Sequence, residues 1–542
     1  MTSRREAIRS NAKYLRQVRP IDPEEISTYV EGEPHPAVVT QILREEAPDL
    51  GLIEREDGTF VPVSEEPVPP RTATDPGPIQ RLPDRYVGRL EDELADRYGV
   101  DWHDGPSGDL LRSTIRRVKA QYLERQDVEY DEDVAAGYAI YHLPAYYAAV
   151  QYALDDLAER GLLGRHLRVL DVGAGVGGPA LGLCDYLPED ALLEYHAVEP
   201  GEGAALLDAF LEETGRNVHP TIHRTTIEAF DPRAASGDSP EAHGADGAGE
   251  HPGDDSDDVG GPELDGTDNE RVEGSEPRPF DLVLVCNVLS ELEDPEAVLR
   301  RALEWVAPDG ALLAMAPADK NASIELRDLE RAVEDSAIRP AGFDAPGEPT
   351  GTDRHSRTVT VYGPTVRLWR GERPDDRGWS FDVRPDLEVP SFQRKLDRSN
   401  QNGGPGEFVN VDVQFSYSIL RLDGGRRIGH TLEGTGQAKM REMDRHVTNR
   451  IDLTAAKLSH SLSDESGDGR SRPSNPVYKV SDGSEAVGHY AVLTNETELN
   501  RPLTDADYGD VLSFENVLVL WNDDEGAYNL VVDEETIVDR IG

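Results

Sequence analysis

Cysteine and long apolar runs are both scarce in this sequence, and their scarcity excludes several protein classes. The 542 residues include two cysteines, Cys184 and Cys286. Two thiols cannot build a disulfide scaffold or a four-cysteine metal site. No apolar run reaches the ~18 residues of a membrane span, and no signal-peptide pattern opens the chain. We therefore expect a cytoplasmic protein with no membrane span and no metal centre.

Positive charge is also scarce. Asp and Glu number 106 against 55 Lys and Arg, which gives a formal charge of −51, and only seven residues are lysine. Such an excess of acid is typical of proteins from salt-loving archaea, where high salt screens the repulsion. Local clusters of basic residues are therefore informative. They lie at Arg4–Arg19, Arg112–Arg125 and Lys439–Arg450, and each is either a solvated surface or a phosphate contact.

The length of the chain predicts two to four domains. Residues 1–19 form a basic tail. Residues 20–66 contain two amphipathic helices and an Asp-Gly hairpin, which indicate either a winged helix or a generic packing module. After a Pro-rich linker, residues 84–165 are mostly helical. Residues 166–430 alternate strand and helix, as a Rossmann-like α/β domain does.

Two further segments differ in composition from the α/β domain. Residues 232–278 contain almost no large apolar side chains, so we predict a disordered insertion that leaves and re-enters one sheet. Residues 431–542 consist of short, β-rich stretches separated by turns. This pattern predicts a small C-terminal β-barrel, of the kind that binds oligonucleotides.

The stretch "VLDVGAGVGG" (residues 169–178) is a buried strand followed by a glycine turn and a helix, and it predicts a cofactor cradle. Gly173, Gly175 and Gly177 let the backbone approach a ligand closely. The same topology could hold a dinucleotide. Asp171 favours S-adenosylmethionine instead, because a carboxylate suits an ammonium and repels a pyrophosphate. Glu199, at the end of the next strand, is placed to accept hydrogen bonds from ribose hydroxyls. A vacant pocket in an α/β domain is the alternative.

No catalytic residue is evident from the sequence. The fourth strand of the α/β pattern ends in "CNVLSEL", without the Asn-Pro-Pro-aromatic turn of many amine methylases. Nothing beside Cys286 marks a reactive thiolate. Tyr138, Tyr141 and His142 either line the pocket or pack in the core.

The run "YAIYHLPAYYAAV…VLDVGAGVGGPAL…VEPGEGAALLDAFL…FDLVLVCNVLSELED…GALLAMAP", with "FSYSILRLDG" further on, resembles the methyltransferase-like family associated with the small ribosomal subunit. "LSEL" and "FSY" are its more diagnostic parts. The resemblance covers roughly residues 130–425. It implies a class I methyltransferase fold, S-adenosylmethionine as cofactor and small-subunit rRNA or the 30S particle as partner. The cofactor-binding positions it implies are Asp171, Gly173, Ala174, Gly175, Gly177, Glu199, Asn287 and Leu289.

The sequence departs from that family after the fifth strand. Many relatives carry a cysteine cluster there, whereas "VYGPTVRLWRGERPDDRGWSF" has none, and a zinc or iron–sulfur site needs several such ligands. Packing of Trp369, Trp379 and Phe381 is expected to replace it.

We expect the protein to be a monomer. Three functions remain open. The first is methyl transfer to small-subunit rRNA, which can rely on alignment of the reactants and so needs no obvious base. The second is a non-catalytic assembly factor that binds rRNA and retains the cofactor site. The third is methylation of a small molecule or a protein.

Overall fold

The computed structural model describes residues 4–71, 79–126, 128–236, 278–340, 356–400, 403–463 and 475–542. The predicted disordered insertion, residues 232–278, lies outside these residues except at its ends. Among the residues described, no helix is long and apolar enough to cross a membrane.

The N-terminal unit consists of three helices and a hairpin: α1 (Arg4–Leu15), α2 (Pro23–Tyr29), α3 (Pro36–Leu50), β1 (Leu52–Glu54) and β2 (Phe60–Pro62). Asp22 caps α2 through the backbone N–H of Glu24, and Gly51 ends α3 in the left-handed region. The helices and hairpin predicted in residues 20–66 are present. Residues 1–19 differ from the predicted tail, because Ile8 and Ala12 of α1 are buried in the core of this unit.

A helical region follows, with α4 (Asp84–Tyr98), α5 (Gly105–Leu123), α6 (Glu132–Tyr141) and α7 (Leu143–Ala158). Asp104 and Asp131 cap α5 and α6, as acidic side chains do at helix N-termini. Trp102 is buried in the core that these helices share with Phe392 and Phe408 from later in the chain. The helical region therefore packs on the α/β domain through a shared hydrophobic core.

The α/β domain contains β3 (His166–Val172), α8 (Gly178–Tyr186), β4 (Leu192–Val198), α9 (Gly203–Leu211), β5 (Val218–His223), β6 (Phe280–Cys286), α10 (Pro295–Glu304), β7 (Val306–Pro317), α11 (Lys320–Val333), β8 (Ala337–Ile338), β9 (Arg357–Thr358), β10 (Thr360–Gly363), β11 (Asp382–Arg384), α12 (Ser391–Arg398) and β12 (Val413–Arg421). The main sheet has the order β10-β12-β7-β6-β3-β4-β5, with β11 paired to β12.

Strands β3 to β7 are parallel, and β12 runs antiparallel to β7. This is the strand order of a class I methyltransferase. The order of the strands reverses between β3 and β6, so the sheet has its topological switch point there, where open α/β sheets bind ligands. Strand β11 pairs with β12 in antiparallel orientation, and β10 forms the edge of the sheet.

The C-terminal unit is a closed barrel of five strands, β13 (Arg450–Lys457), β14 (Val477–Ser481), β15 (His489–Leu493), β16 (Val511–Asn522) and β17 (Ala527–Val532), with helix α13 (Pro502–Asp505) and strand β18 (Ile537–Arg540). The order β13-β14-β15-β17-β16 closes because β13 also pairs with β16. Strands β15 and β17 are parallel. A short helix between the third and fourth strands completes the topology of an oligonucleotide-binding fold, as the sequence predicted.

Buried charges hold the barrel against the α/β domain. Lys479, on the outer face of β14, forms an ion pair with Asp376, and both side chains are almost completely buried. Trp369 donates its indole N–H to Asp482 at 2.7 Å. Trp379 stacks on Phe381 in the same region, with ring centroids 5.1 Å apart. Both tryptophans therefore pack at the junction between the barrel and the α/β domain. Among the residues described, no group of three or more His, Cys, Asp or Glu side chains could hold a metal ion.

Candidate active site

The glycine turn after β3 adopts a conformation that side chains resist. Gly173, Gly175 and Gly177 all have positive φ, at 68°, 55° and 89°. A Cβ at Gly177 would lie 2.5 Å from Leu207 Cδ1, so α9 packs directly on the turn. A Cβ at Gly175 would meet nothing within 4 Å. The turn is therefore tight against the protein at one glycine and open towards free space at another, as a ligand cradle requires.

Asp171 ends β3 beneath this turn and holds an unsatisfied oxygen. Its side chain is 1 % exposed, and its Oδ2 accepts a hydrogen bond from the Tyr195 hydroxyl at 2.7 Å. Its Oδ1 is buried and has no partner. Desolvation raises the pKa of Asp171 to about 7. A cationic ligand group would satisfy this oxygen and favour the ionised form, so the site fits the ammonium of S-adenosylmethionine.

Glu199 follows β4 and faces the same turn. Its Oε2 accepts the backbone N–H of Gly175, and its Oε1 accepts that of Gly201, both at 2.7 Å. A carboxylate oxygen has two lone pairs, so each can accept one further hydrogen bond. These contacts fix the carboxylate beside the cradle, where the ribose hydroxyls of the cofactor would complete its bonding.

The other three implied cofactor positions lie at the edge of the cradle or behind it. Asn287 has a positive φ of 58°, and its backbone N–H donates to the carbonyl of Met315. Its side chain is half-buried. Ala174 and Leu289 are buried, at 5 % and 4 % exposure. The structure brings these residues to the switch point, and their contact with the cofactor stays a prediction.

A row of aromatic rings lies above this edge of the sheet. Tyr138, His142 and Tyr146 follow each other at four-residue spacing along α6 and α7, so they share one helical face. The ring centroids of Tyr138 and His142 are 4.7 Å apart, and those of His142 and Tyr146 are 5.2 Å apart. Tyr130 packs on Tyr138 at 5.8 Å. We call Tyr130, Tyr138, His142 and Tyr146 the aromatic wall.

Hydrogen bonds join the helical layer to the strand ends. The Tyr130 hydroxyl donates to Glu291 Oε1, after β6, at 2.5 Å. The Tyr122 hydroxyl donates to Asp319 Oδ2, after β7, at 2.8 Å. Tyr130 also reaches the end of β4, since its Cβ would lie 3.5 Å from a Cβ at Gly201. Tyr130 therefore spans the cradle from β4 to β6.

The aromatic wall carries no charge at neutral pH. Desolvation lowers the pKa of His142 to about 3, and it raises the pKa values of the three tyrosines. Although Glu291 keeps contact with solvent, the surrounding protein raises its pKa to about 7. The site therefore joins an uncharged aromatic surface to a carboxyl group that titrates near neutrality.

Sequence reasoning found Tyr138 and His142 but missed Glu291, Tyr130 and Tyr146. A signal was present for two of them. Glu291 is the acid of the "LSEL" motif, and Tyr146 continues the four-residue spacing. Tyr141 lies beside the wall, with Lys119 Nζ 3.4 Å from its ring centroid. Both cysteines are packing residues whose pKa values burial raises, so neither is an activated nucleophile.

Comparison with known proteins agrees with this geometry. Residues 144–387 match the family described as methyltransferase domain, and residues 5–56 and 441–541 match the N-terminal and C-terminal domains of a family of unknown function, DUF8157. No curated protein sequence matches the chain.

Solved structures of methyltransferases are similar to the chain at low identity. The plantazolicin methyltransferase BpumL in complex with SAH is 12% identical, with 62% of this chain and 98% of that chain covered and a TM-score of 0.25. Coclaurine N-methyltransferase bound to N-methylheliamine and SAH is 16% identical, with coverages of 44% and 60% and a TM-score of 0.22. A methyltransferase from Clostridium acetobutylicum is 9% identical, with coverages of 58% and 99% and a TM-score of 0.22.

The strand order, the cradle and the family match together define a class I methyltransferase domain in residues 144–387, with a cradle that fits S-adenosylmethionine. When bound, the cofactor supplies an electrophilic methyl group. Asp171, the glycine turn and Glu199 are the residues that would hold it. A domain of the DUF8157 family flanks the methyltransferase domain on each side.

Proposed function

We propose that this protein transfers a methyl group to small-subunit ribosomal RNA. The resemblance carried by "LSEL" and "FSY" supports this substrate, as does the oligonucleotide-binding topology of the barrel. The observation that carries most weight is a set of unpaired cations on the helical layer beside the aromatic wall.

Most of the predicted basic clusters do not supply these cations. The structure pairs them with acidic neighbours: Arg5 with Glu45 and Glu46, Arg9 with Glu46, Arg116 with Glu407, Arg441 with Asp375, and Arg450 with Asp533. A cation that already has a carboxylate partner gains less from a phosphate. The N-terminal cluster in particular holds α1 against α3, so its charge serves the fold.

Three arginines on α5 and α12, close to the aromatic wall, differ from this pattern. Arg117 on α5 and Arg394 and Arg398 on α12 are exposed, and none forms an ion pair within the described part of the chain. With Lys119 they make up what we call the basic rim. Lys119 lies over the Tyr141 ring, and Gln393 of α12 donates to the Tyr141 carbonyl at 3.2 Å. Both helices of the rim therefore meet the end of α6, next to the aromatic wall.

Not every aromatic ring of the barrel is accessible for stacking with a base. Tyr478 and Phe514 are core residues, at 6 % and 0 % exposure, and so are not stacking platforms. The outer face of β14 is covered by the α/β domain through Lys479. Trp521 is 40 % exposed and lies 4.8 Å from Tyr528 between ring centroids. RNA contacts on the barrel would use these two rings.

Binding of purified small-subunit rRNA tests the basic rim. The double variant Arg394→Ala/Arg398→Ala should bind more weakly, and the slope of log K against log salt should fall by about 1 for each lost phosphate contact. Arg445→Ala/Arg501→Ala is the matched control, because both arginines are exposed but are paired with Glu442 and Glu498. Equal loss in both double variants would contradict the assignment.

Methyl transfer itself is tested in a strain that lacks the gene. Loss of one mapped rRNA methyl group, restored by wild type but not by a variant that cannot bind the cofactor, is the expected result. An unchanged methylation map together with copurification of the protein with 30S particles would instead favour the non-catalytic assembly factor. An unchanged map without copurification would favour a small-molecule or protein substrate.

A further inference from the structure

We propose that the space between the aromatic wall and Glu291 binds one flat nitrogen heterocycle, a nucleobase turned out of its RNA strand. The carboxylate of Glu291 accepts a hydrogen bond from a ring N–H or an amino group of this base. The inference rests on the proposed methylation of RNA for its biological context. Its physical basis lies in the exposure, stacking and hydrogen-bond capacity of the residues that surround this space.

The exposure of the wall residues indicates a recess. Tyr130, Tyr138, His142 and Tyr146 pack on one another, and all four side chains are half-buried. Each nevertheless retains accessible surface and is not part of the fully buried core. Side chains combine these two properties when they line a concave site that a small group can enter.

The wall offers a surface on which a flat ring can stack. His142 and Tyr146 lie nearly parallel, with an interplanar angle of 20°. The histidine is neutral, so a heterocycle meets no fixed charge there. Stacking of a base on an aromatic side chain contributes about 1–3 kcal/mol, and RNA-binding proteins commonly read unstacked bases in this way.

The charged side chains that face the recess are the two carboxylates Glu291 and Asp319, and both are hydrogen-bond acceptors. The Tyr130 and Tyr122 hydroxyl hydrogens are already given to Glu291 and Asp319. The nearest cation, Lys119, donates to the Glu407 carbonyl at 3.2 Å and lies over Tyr141. A phosphate or carboxylate would therefore meet two carboxylates without a free cation, and a donor-bearing group is favoured.

Of the two carboxylates, Glu291 is the one with free capacity. Asp319 caps α11 through the N–H groups of Asn321 and Ala322 and also binds Tyr122. Glu291 has one hydrogen-bond partner, Tyr130, which uses Oε1. Its Oε2 remains for a ligand. Because Glu291 follows β6, next to β3 in the sheet, the ligand would lie beside the cradle.

Nucleoside pairs that differ by one donor test the proposal. Cytidine is compared with its analogue lacking the 4-amino group, guanosine with inosine, and adenosine with purine riboside. Saturation-transfer NMR measures the affinities, with S-adenosylhomocysteine present in excess to fill the cofactor site. At pH 8, where Glu291 is mostly ionised, we expect the member with the extra donor to bind about tenfold more tightly in at least one pair, since a hydrogen bond to an ionised carboxylate is stronger than one to a neutral group.

Two variants separate the polar contact from stacking. Glu291→Ala should reduce the tenfold ratio to about one, whereas Tyr138→Leu should weaken both members of the pair and leave the ratio unchanged. Glu293→Gln, at an exposed acid two residues away, is the control and should match wild type. Melting curves and S-adenosylhomocysteine affinity check that each variant is folded.

The failure of the inference is distinguishable from that of the proposed function. If no pair shows discrimination, or if Glu291→Ala retains it, the recess is not this site, whatever the rRNA assays show. If S-adenosylhomocysteine does not bind, the proposed methyl transfer fails, while the nucleoside ratios measured without it still test the recess.

Discussion

Replacing Asp171 by asparagine is expected to stabilise the ligand-free protein above neutral pH and to weaken cofactor binding. The carboxyl is 1 % exposed, with one oxygen unpaired, and desolvation raises its pKa from 3.8 to about 7. This difference in pKa between the folded and unfolded states lowers the free energy of unfolding by about 4 kcal/mol above pH 7. Asparagine keeps an acceptor for Tyr195 but leaves a buried N–H unpaired, which costs about 1–3 kcal/mol. The expected net gain at pH 8 is therefore about 1–3 kcal/mol.

The sign of the pH dependence follows from the raised pKa. Between pH 4 and 7 the folded state holds a proton on Asp171 that the unfolded state has lost, so wild-type stability from this group falls as pH rises through that interval. The asparagine variant has no titrating group at position 171, so this loss of stability does not occur in it. The difference in unfolding free energy, variant minus wild type, should grow from pH 4 to 7 and then level off.

Urea denaturation at constant high salt, from pH 4 to 8, measures this difference, and isothermal titration with S-adenosylmethionine measures binding. Subtracting the two proteins removes the contributions of other titrating groups. A difference that does not change with pH, or a variant less stable than wild type at pH 8, would refute the assignment of an uncompensated charge to Asp171.

Four other changes have defined outcomes. Gly177→Ala should destabilise the fold by about 1–3 kcal/mol, because the new side chain combines a positive φ with a close contact. Gly175→Ala should destabilise the fold by about 1–2 kcal/mol and mainly weaken S-adenosylhomocysteine binding. Thermal melting and isothermal titration of both variants measure these effects. Lys479→Met should destabilise the protein by about 1–3 kcal/mol in urea unfolding, because Asp376 loses one of its two buried ion-pair partners and keeps Arg331. An unchanged midpoint would show that Arg331 alone compensates the Asp376 charge. The ends of the predicted insertion are packed, since Ala235 is buried in the core and Arg278 pairs with Asp49. Replacing only residues 237–277 with a short Gly/Ser linker should leave the melting temperature nearly unchanged, and a loss of about ten degrees would show that the segment is structural.

The cradle was predictable because its signals are local. A buried strand, an acid at its end and a glycine turn are contiguous in "VLDVGAGVGG", and Glu199 follows at the end of the next strand. Parallel strands place their carboxyl ends at one edge of the sheet, so residues at successive strand ends meet there whatever the loops contain. The barrel was predictable for a similar reason. Short strands with alternating apolar residues and regular turns are compatible with few architectures other than a small barrel or sandwich.

The sequence could not show which charges are free or which residues face the cradle from outside the sheet. The basic N-terminal stretch suggested a phosphate contact, but α3 carries the acids that neutralise it about 40 residues later in the chain. Glu291 and Tyr130 are 161 residues apart and meet only because the helical layer crosses the end of the sheet. By itself, the sequence determined the strand ends, the cradle and the alternation of elements. The pairing of distant charges and the placement of the aromatic wall depend on long-range packing, so only the tertiary structure decided them.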